Sequence, residues 1–393
     1  MDQVSRTSKK GSLMKFSLLS VSLVLTSSTA ISAAIPKMAE TFQGYSLSAI
    51  ELLTTIPSFM VMIFVFLSSF IAKALGQKKT VVLGLILTGV CGIIPFFFSN
   101  YVIVLLSRAG LGIGFGLMNS LAVSMISLFF SGQERATLIG FQSAFQGLGA
   151  AGMTFIAGQL LNNGWQSAFL IYALSFLILP LFILFVPGMK KEDGSNHAEE
   201  VVFRTNRRVI GYSIFLMVIA VLYNAVFVKL ATVVTSSGIG NDSATSTIFS
   251  ILQIASMGAG FLFGFVQSKI GKFIFPVSIT CMAAGFFLIS SLQGISIVAI
   301  GAILVGVAFS LMIPYLFTQV SIISPENAGA FNTSILLVGA NIGSFLAPYG
   351  LYLIASIPTT KSMVAVFVNS GIILILLGVM SVIMIRQKGR SHV

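Results

Sequence analysis

Of the 393 residues, 56% are hydrophobic and only 8% charged, with a mean hydropathy of +1.02. A soluble domain carries about a quarter charged residues, so water is excluded as the main solvent of this chain. Its apolar stretches of about 20 residues suit membrane-crossing helices, and they lack the period-two alternation of a transmembrane barrel.

Glycine, proline, asparagine and charge clusters divide the chain into twelve predicted helical spans. They fall at 14–35, 48–72, 79–98, 101–125, 135–161, 166–187, 209–235, 244–267, 273–291, 294–319, 327–356 and 362–385. The start resembles a signal peptide, with Lys9, Lys10 and Lys15 before an apolar run and then Ala30-Ile-Ser-Ala33-Ala34. In a chain that stays hydrophobic to its end, an uncleaved first helix is expected. The longest polar stretch, 188–208, is expected to be a cytoplasmic linker between an N-terminal six-helix bundle (1–187) and a C-terminal one (209–393).

The 22 Lys and Arg test this topology. Eighteen fall at the two termini or in loops that follow even-numbered spans, only Lys37 and Lys361 lie on the opposite side, and Arg108 and Lys229 lie inside spans. The positive-inside rule then places both termini in the cytoplasm, with the plasma or inner membrane as the expected location. The net charge of +12 is explained by topology and does not call for a nucleic-acid partner. Cys91 and Cys281 both sit in apolar runs and read as packing residues.

The two halves overlay at an offset of about 194–195 residues. Gly112-Ile-Gly-Phe115-Gly-Leu117-Met118 meets Gly306-Val-Ala-Phe309-Ser-Leu311-Met312, and Leu75-Gly76-Gln77-Lys78 meets Ile270-Gly271-Lys272. Paired repeats of this kind suit a transporter that rocks two halves about a central site.

With these motifs the chain resembles the major facilitator superfamily, and the resemblance covers nearly all of it. The loop from Ser69 through Lys73, Gly76, Lys78 and Lys79 is similar to the family signature Gly-x-x-x-Asp-Arg-x-Gly-Arg-Lys between the second and third spans. Arg108-Ala-Gly-Leu-Gly112-Ile-Gly114 is similar to the fourth-span signature, and Gly164-Trp165-Gln-Ser-Ala-Phe169 to the start of the sixth span. Glu134-Arg135 and Pro325-Glu326 sit where the family caps its fifth and eleventh spans. The resemblance implies a twelve-helix, all-α membrane fold closest to the drug-efflux branch. Departures are visible as well. Lys73 replaces the family's Asp and Ser69 its first Gly, with Gly264, Ser268 and Gly271 at the second-half positions. The mid-first-span acid of many multidrug members is replaced by Thr26-Ser27-Ser28-Thr29, and the fifth span, with Gly147, Gly149, Gly152 and Gly158, lacks the Gly-Pro pair of the antiporter subgroup.

No catalytic constellation is present. The histidines His197 and His392 lie in the linker and at the end of the chain, and no Gly-x-x-x-x-Gly-Lys-Ser/Thr loop exists to hold ATP. A non-enzymatic secondary carrier without cofactor or metal is therefore expected, driven by an ion or substrate gradient, with protons the leading choice. Ionisable residues inside spans are functional candidates because burial in hydrocarbon is costly. Arg108 serves either substrate and coupling or the capping of carbonyls. Lys229 serves function or snorkels to the interface. Glu51 is the one acidic residue inside a predicted span and the leading proton carrier. Gln142 and Gln146 share a helix face, and Asn119, Tyr223, Asn224, Gln253, Tyr315 and Asn341 complete the polar candidates, each with interhelical hydrogen bonding as its alternative. Three functions follow as expectations: proton-coupled efflux of amphipathic compounds, carriage of a small organic anion, or a non-transporting sensor or lipid-handling role. The expected partners are a small-molecule substrate and the bilayer, with a monomeric carrier.

Overall fold

The structure is a computed structural model that describes residues 2–188, 205–324, 328–357 and 364–390. It contains helices and no strand among the described residues. In hydrocarbon each backbone polar group needs a partner from within its own chain, which helices provide. In chain order the α-helices are α1 (Asp2–Ser20), α2 (Ile35–Thr41), α3 (Leu47–Leu75), α4 (Gln77–Phe97), α5 (Tyr101–Phe129), α6 (Gly132–Leu160) and α7 (Leu174–Phe185). The series continues with α8 (Arg207–Ser236), α9 (Asp242–Ile270), α10 (Ile274–Ser291), α11 (Ile295–Ile323), α12 (Gly329–Ala355) and α13 (Ala365–Arg390). Several starts are capped as their sequences require. The side chains of Ser46, Asn100, Asn206 and Asn241 accept bonds from first-turn amides of α3, α5, α8 and α9.

By length and hydropathy, eight stretches among the described residues can cross a membrane, or nine if the bent pair Gly11–Leu23 and Ser27–Thr41 is one span. One of the eight, Asp242–Ser290, covers both α9 and α10. Separating those two, and adding the glycine- and glutamine-rich α6 and the shorter apolar stretch Ala365–Val379, recovers the twelve expected spans.

The first span departs from expectation. It is not one helix over 14–35: three short 3₁₀ turns at Val21–Leu23, Ser27–Thr29 and Ser32–Ala34 separate α1 from α2, with a 44° bend. The stretch is rich in Ser, Thr and β-branched residues, whose hydroxyls compete for helix carbonyls. Ser27 Oγ donates to the Val24 carbonyl at 2.7 Å. Pro36 lacks an N–H for the Ser32 carbonyl, and Ile35 serves it in 3₁₀ fashion instead. The sixth span likewise opens as a nine-residue 3₁₀ helix, Trp165–Ala173, before α7; runs beyond three or four residues are uncommon.

The chain divides into two compact units, Met1–His197 and Ala198–Val393. Most of the predicted linker, 189–204, lies outside the described residues, as do Pro325, Glu326 and Lys361. Within each unit the packing repeats the sequence offset. On α6, Gly149 leaves no room for a Cβ against the Leu23 backbone; on α12, Gly343 does the same against the Met217 carbonyl on α8. Both pairs are related by 194 residues. A Cβ on Gly112 would lie 2.6 Å from the Pro57 carbonyl, and one on Gly306 would lie 2.6 Å from Ser256 Oγ, so α3–α5 and α9–α11 use the same close approach. Such small residues let backbones approach where no hydrophobic force drives helices together. Large apolar side chains such as Leu106, Leu177, Leu184, Phe261 and Leu353 stay uncovered, as a face solvated by lipid tails requires.

Candidate functional site

In the first unit the polar interior is organised around Arg108, seven residues into α5 and fully buried, or about 10 Å along the helix axis. A buried guanidinium needs acceptors, and three are supplied. Nε donates to the Leu53 carbonyl at 2.9 Å, Nη1 to the Tyr172 hydroxyl at 2.8 Å and Nη2 to the Ser28 carbonyl at 2.6 Å. Each acceptor is available for a local reason. Pro57, four residues after Leu53 in α3, has no N–H to give that carbonyl. Ser28 lies in the 3₁₀ break of the first span. Tyr172 lies in the 3₁₀ start of the sixth and passes the bond on, donating to the Ser27 carbonyl at 2.9 Å. The guanidinium also lies 5.9 Å from the Phe169 ring centre and 5.6 Å from that of Tyr172, within cation–π range.

Glu51 is fully buried in α3. In sequence it falls between Ala49, whose carbonyl accepts from Tyr101 Oη at 2.9 Å, and Leu53, whose carbonyl accepts from Arg108. Gln142 on α6 is buried. Gln146, one turn on, shares that face, and its carbonyl accepts from Thr26 Oγ1 at 3.0 Å. Of the hydroxyl run Thr26–Thr29, then, Thr26 bonds across to α6 and Ser27 bonds back to its own segment. Asn119 on α5 is exposed. An aromatic chain runs from the loop before α3: Tyr45 stacks on Tyr101, and Phe42 links Tyr101 to Trp165, which reaches Phe169. Trp165 Nε1 donates to Thr41 Oγ1 at 2.9 Å.

In the second unit, Tyr223 on α8 lies flat on Phe309 of α11, centroids 3.8 Å apart and planes within 3°, with Phe227 edge-on. Asn224 is buried and donates to the Ala220 carbonyl and to Ser344 Oγ, at 2.8 and 3.1 Å. Asn341 on α12 donates to its own helix at Leu337. Tyr315 on α11 faces Phe275 at 6.0 Å. Gln253 on α9 and Lys229 on α8 are half-buried.

The signature loop lies at the α3–α4 junction. Gly76 holds φ 87° there and Gly271 holds φ 48° at the end of α9, both in the region that favours glycine. Ser69, Lys73 and Lys79 are exposed, and so is Gly264 on α9. Lys78 Nζ donates to the Ile183 carbonyl near the end of α7 at 2.7 Å, where a cation suits the helix dipole. Beside this loop motif, Lys15 pairs with Glu134 in the first turn of α6 at 2.5 Å.

Tyr172 and Pro57 escaped the sequence reading. The available signal was an embedded proline four residues after a leucine, which frees one carbonyl inside a span that must satisfy every backbone group.

The apolar helices, with polar side chains buried among them, define a multi-pass membrane protein. The Major Facilitator Superfamily profile matches residues 17–348, and the chain belongs to that family of small-molecule transporters. Its fold is similar to that of a D-xylose–proton symporter (TM-score 0.71, 16% identity, 92% of this chain and 96% of that one). It is also similar to a mutant of the nucleoside transporter NupG (TM-score 0.78, 14% identity, 94% and 99%). A third similar structure is the inward-open xylose transporter XylE from E. coli (TM-score 0.72, 16% identity, 95% and 95%).

Proposed function

We propose that this chain is a monomeric secondary carrier that exports small, ring-containing amphipathic solutes by alternating access, in exchange for protons, across a plasma membrane with both termini in the cytoplasm. The observation that carries this reading is the chemistry of the polar side chains on the spans. Apart from Arg108, Glu51 and Lys229, the candidates are amides and phenols: Gln142, Gln146, Asn119, Asn224, Gln253, Asn341, Tyr223 and Tyr315. The stacked Tyr223 and Phe309 add two aromatic rings to this set. Apolar walls with a few placed neutral polar groups suit a solute that is itself largely uncharged. Glu51 is the residue assigned to the proton, since a carboxyl buried within a span changes charge at a position where charge is costly. Proton coupling has a parallel in the symporter of the same fold. Export is taken from the sequence resemblance to the drug-efflux branch.

Flux into proteoliposomes under an imposed pH gradient tests the whole reading. Acid-driven movement of a lipophilic dye that is lost in Glu51→Gln is expected. Flux indifferent to pH in the unaltered protein would sink it. A small organic anion is the second reading, favoured because Arg108 is a fully buried cation whose hydrogen bonds to Leu53, Tyr172 and Ser28 go to neutral oxygens. Competition by anions but not by neutral or cationic dyes would decide for it.

A further inference from the structure

The two units repeat one packing scheme, yet their leading spans differ. The 194-residue offset carries the 3₁₀ stretch 21–34 onto 215–228, which lies inside the unbroken 30-residue α8. It carries Arg108 onto Ala302, Tyr172 onto Val366 and Pro57 onto Ile251. The unit with the broken span holds an arginine, a tyrosine and a freed carbonyl around the break. The unit with the unbroken span has apolar side chains at all three positions.

We propose that Arg108, Tyr172 and Pro57 form a clamp that sets the break in the first span, so that the α1–α2 segment is the yielding wall of its unit and α8 the rigid one. Arg108 and Tyr172 fasten the break through the Ser28 and Ser27 carbonyls, and the same guanidinium is anchored on α3 by the carbonyl that Pro57 leaves without a donor. A 3₁₀ turn has poorer hydrogen-bond geometry than an α-turn, so the break depends on those outside bonds more than a regular helix would. Tyr172 and Pro57 are positioning residues: they act on the first span through Arg108.

Hydrogen exchange of the full chain in lipid nanodiscs tests this without any substrate. Tyr172→Phe keeps the ring and removes the relay, and exchange over 21–34 is expected to rise roughly fivefold or more, as for one lost buried bond. Pro57→Ala separates the clamp from ordinary helix stability. Alanine restores an N–H for the Leu53 carbonyl and should by itself steady α3, yet by displacing Arg108 it should speed exchange over 21–34. Segment 215–228 should keep its wild-type rate in both variants. An unchanged rate over 21–34 in either variant, or a rise spread evenly through the first unit, overturns the proposal.

Discussion

Replacing Arg108 by methionine keeps much of the side-chain volume and removes every donor. Three acceptors then lose their partner inside the unit: the Leu53 and Ser28 carbonyls and the Tyr172 hydroxyl. In a water-soluble core, bonds from a charged donor contribute about 1.5–3 kcal/mol each. In a membrane bundle the measured average is nearer 0.6 kcal/mol, because partly unfolded helices find other partners. Three bonds at the lower value give about 2 kcal/mol, and the short 2.6 Å bond to Ser28 argues for more. A loss of about 2–5 kcal/mol is therefore expected. At about 2–4 °C per kcal/mol for a unit of this size, Tm should fall by roughly 4–20 °C. Trp165, the only tryptophan, lies 5.9 Å from Phe169 beside the guanidinium and provides the emission signal for a melting curve. Arg108→Lys, with one compact donor group, should recover less than half of the loss. A methionine variant that melts within a degree of the unaltered protein would refute the view that these bonds organise the unit.

Three further outcomes are expected. Glu51→Gln should abolish flux driven by a pH gradient while leaving substrate counterflow measurable, and a gradient-driven rate equal to the unaltered protein's would remove Glu51 from the coupling role. Gly149→Leu and Gly343→Leu should each overpack a repeat-related contact and cost about 1–3 kcal/mol or more, read as a lower melting temperature on size-exclusion; if one is neutral and the other severe, the two contacts are not equivalent. Lys78→Ala removes a bond to the Ile183 carbonyl at a helix end, with an expected loss of about 0.3–1 kcal/mol. A tenfold fall in flux at unchanged stability would show that Lys78 does more than cap α7.

That the chain is helical, that it crosses a membrane many times and that its halves repeat were legible in the sequence; where the first and sixth spans leave the α-helix was not. Those properties follow from hydrophobic run length, capping residues and punctuating Gly and Pro, which act over a few residues at a time. The paired close contacts at Gly149 and Gly343, and the positive-φ glycines Gly76 and Gly271, fall at the offset read from the sequence. The first span was misread as a single helix because its hydropathy is continuous and only its backbone pairing changes. The surroundings of Arg108 were likewise hidden. Its acceptors come from residues 28, 53 and 172, distant in sequence, and two of them are backbone carbonyls that no residue type advertises. Sequence alone placed a cation, Arg108, inside the fourth predicted span, where it needs an internal partner or a lined cavity. Only the tertiary structure decided that it is met by a proline-freed carbonyl, a 3₁₀ break and a tyrosine, because those acceptors exist only once the helices of the first unit have packed.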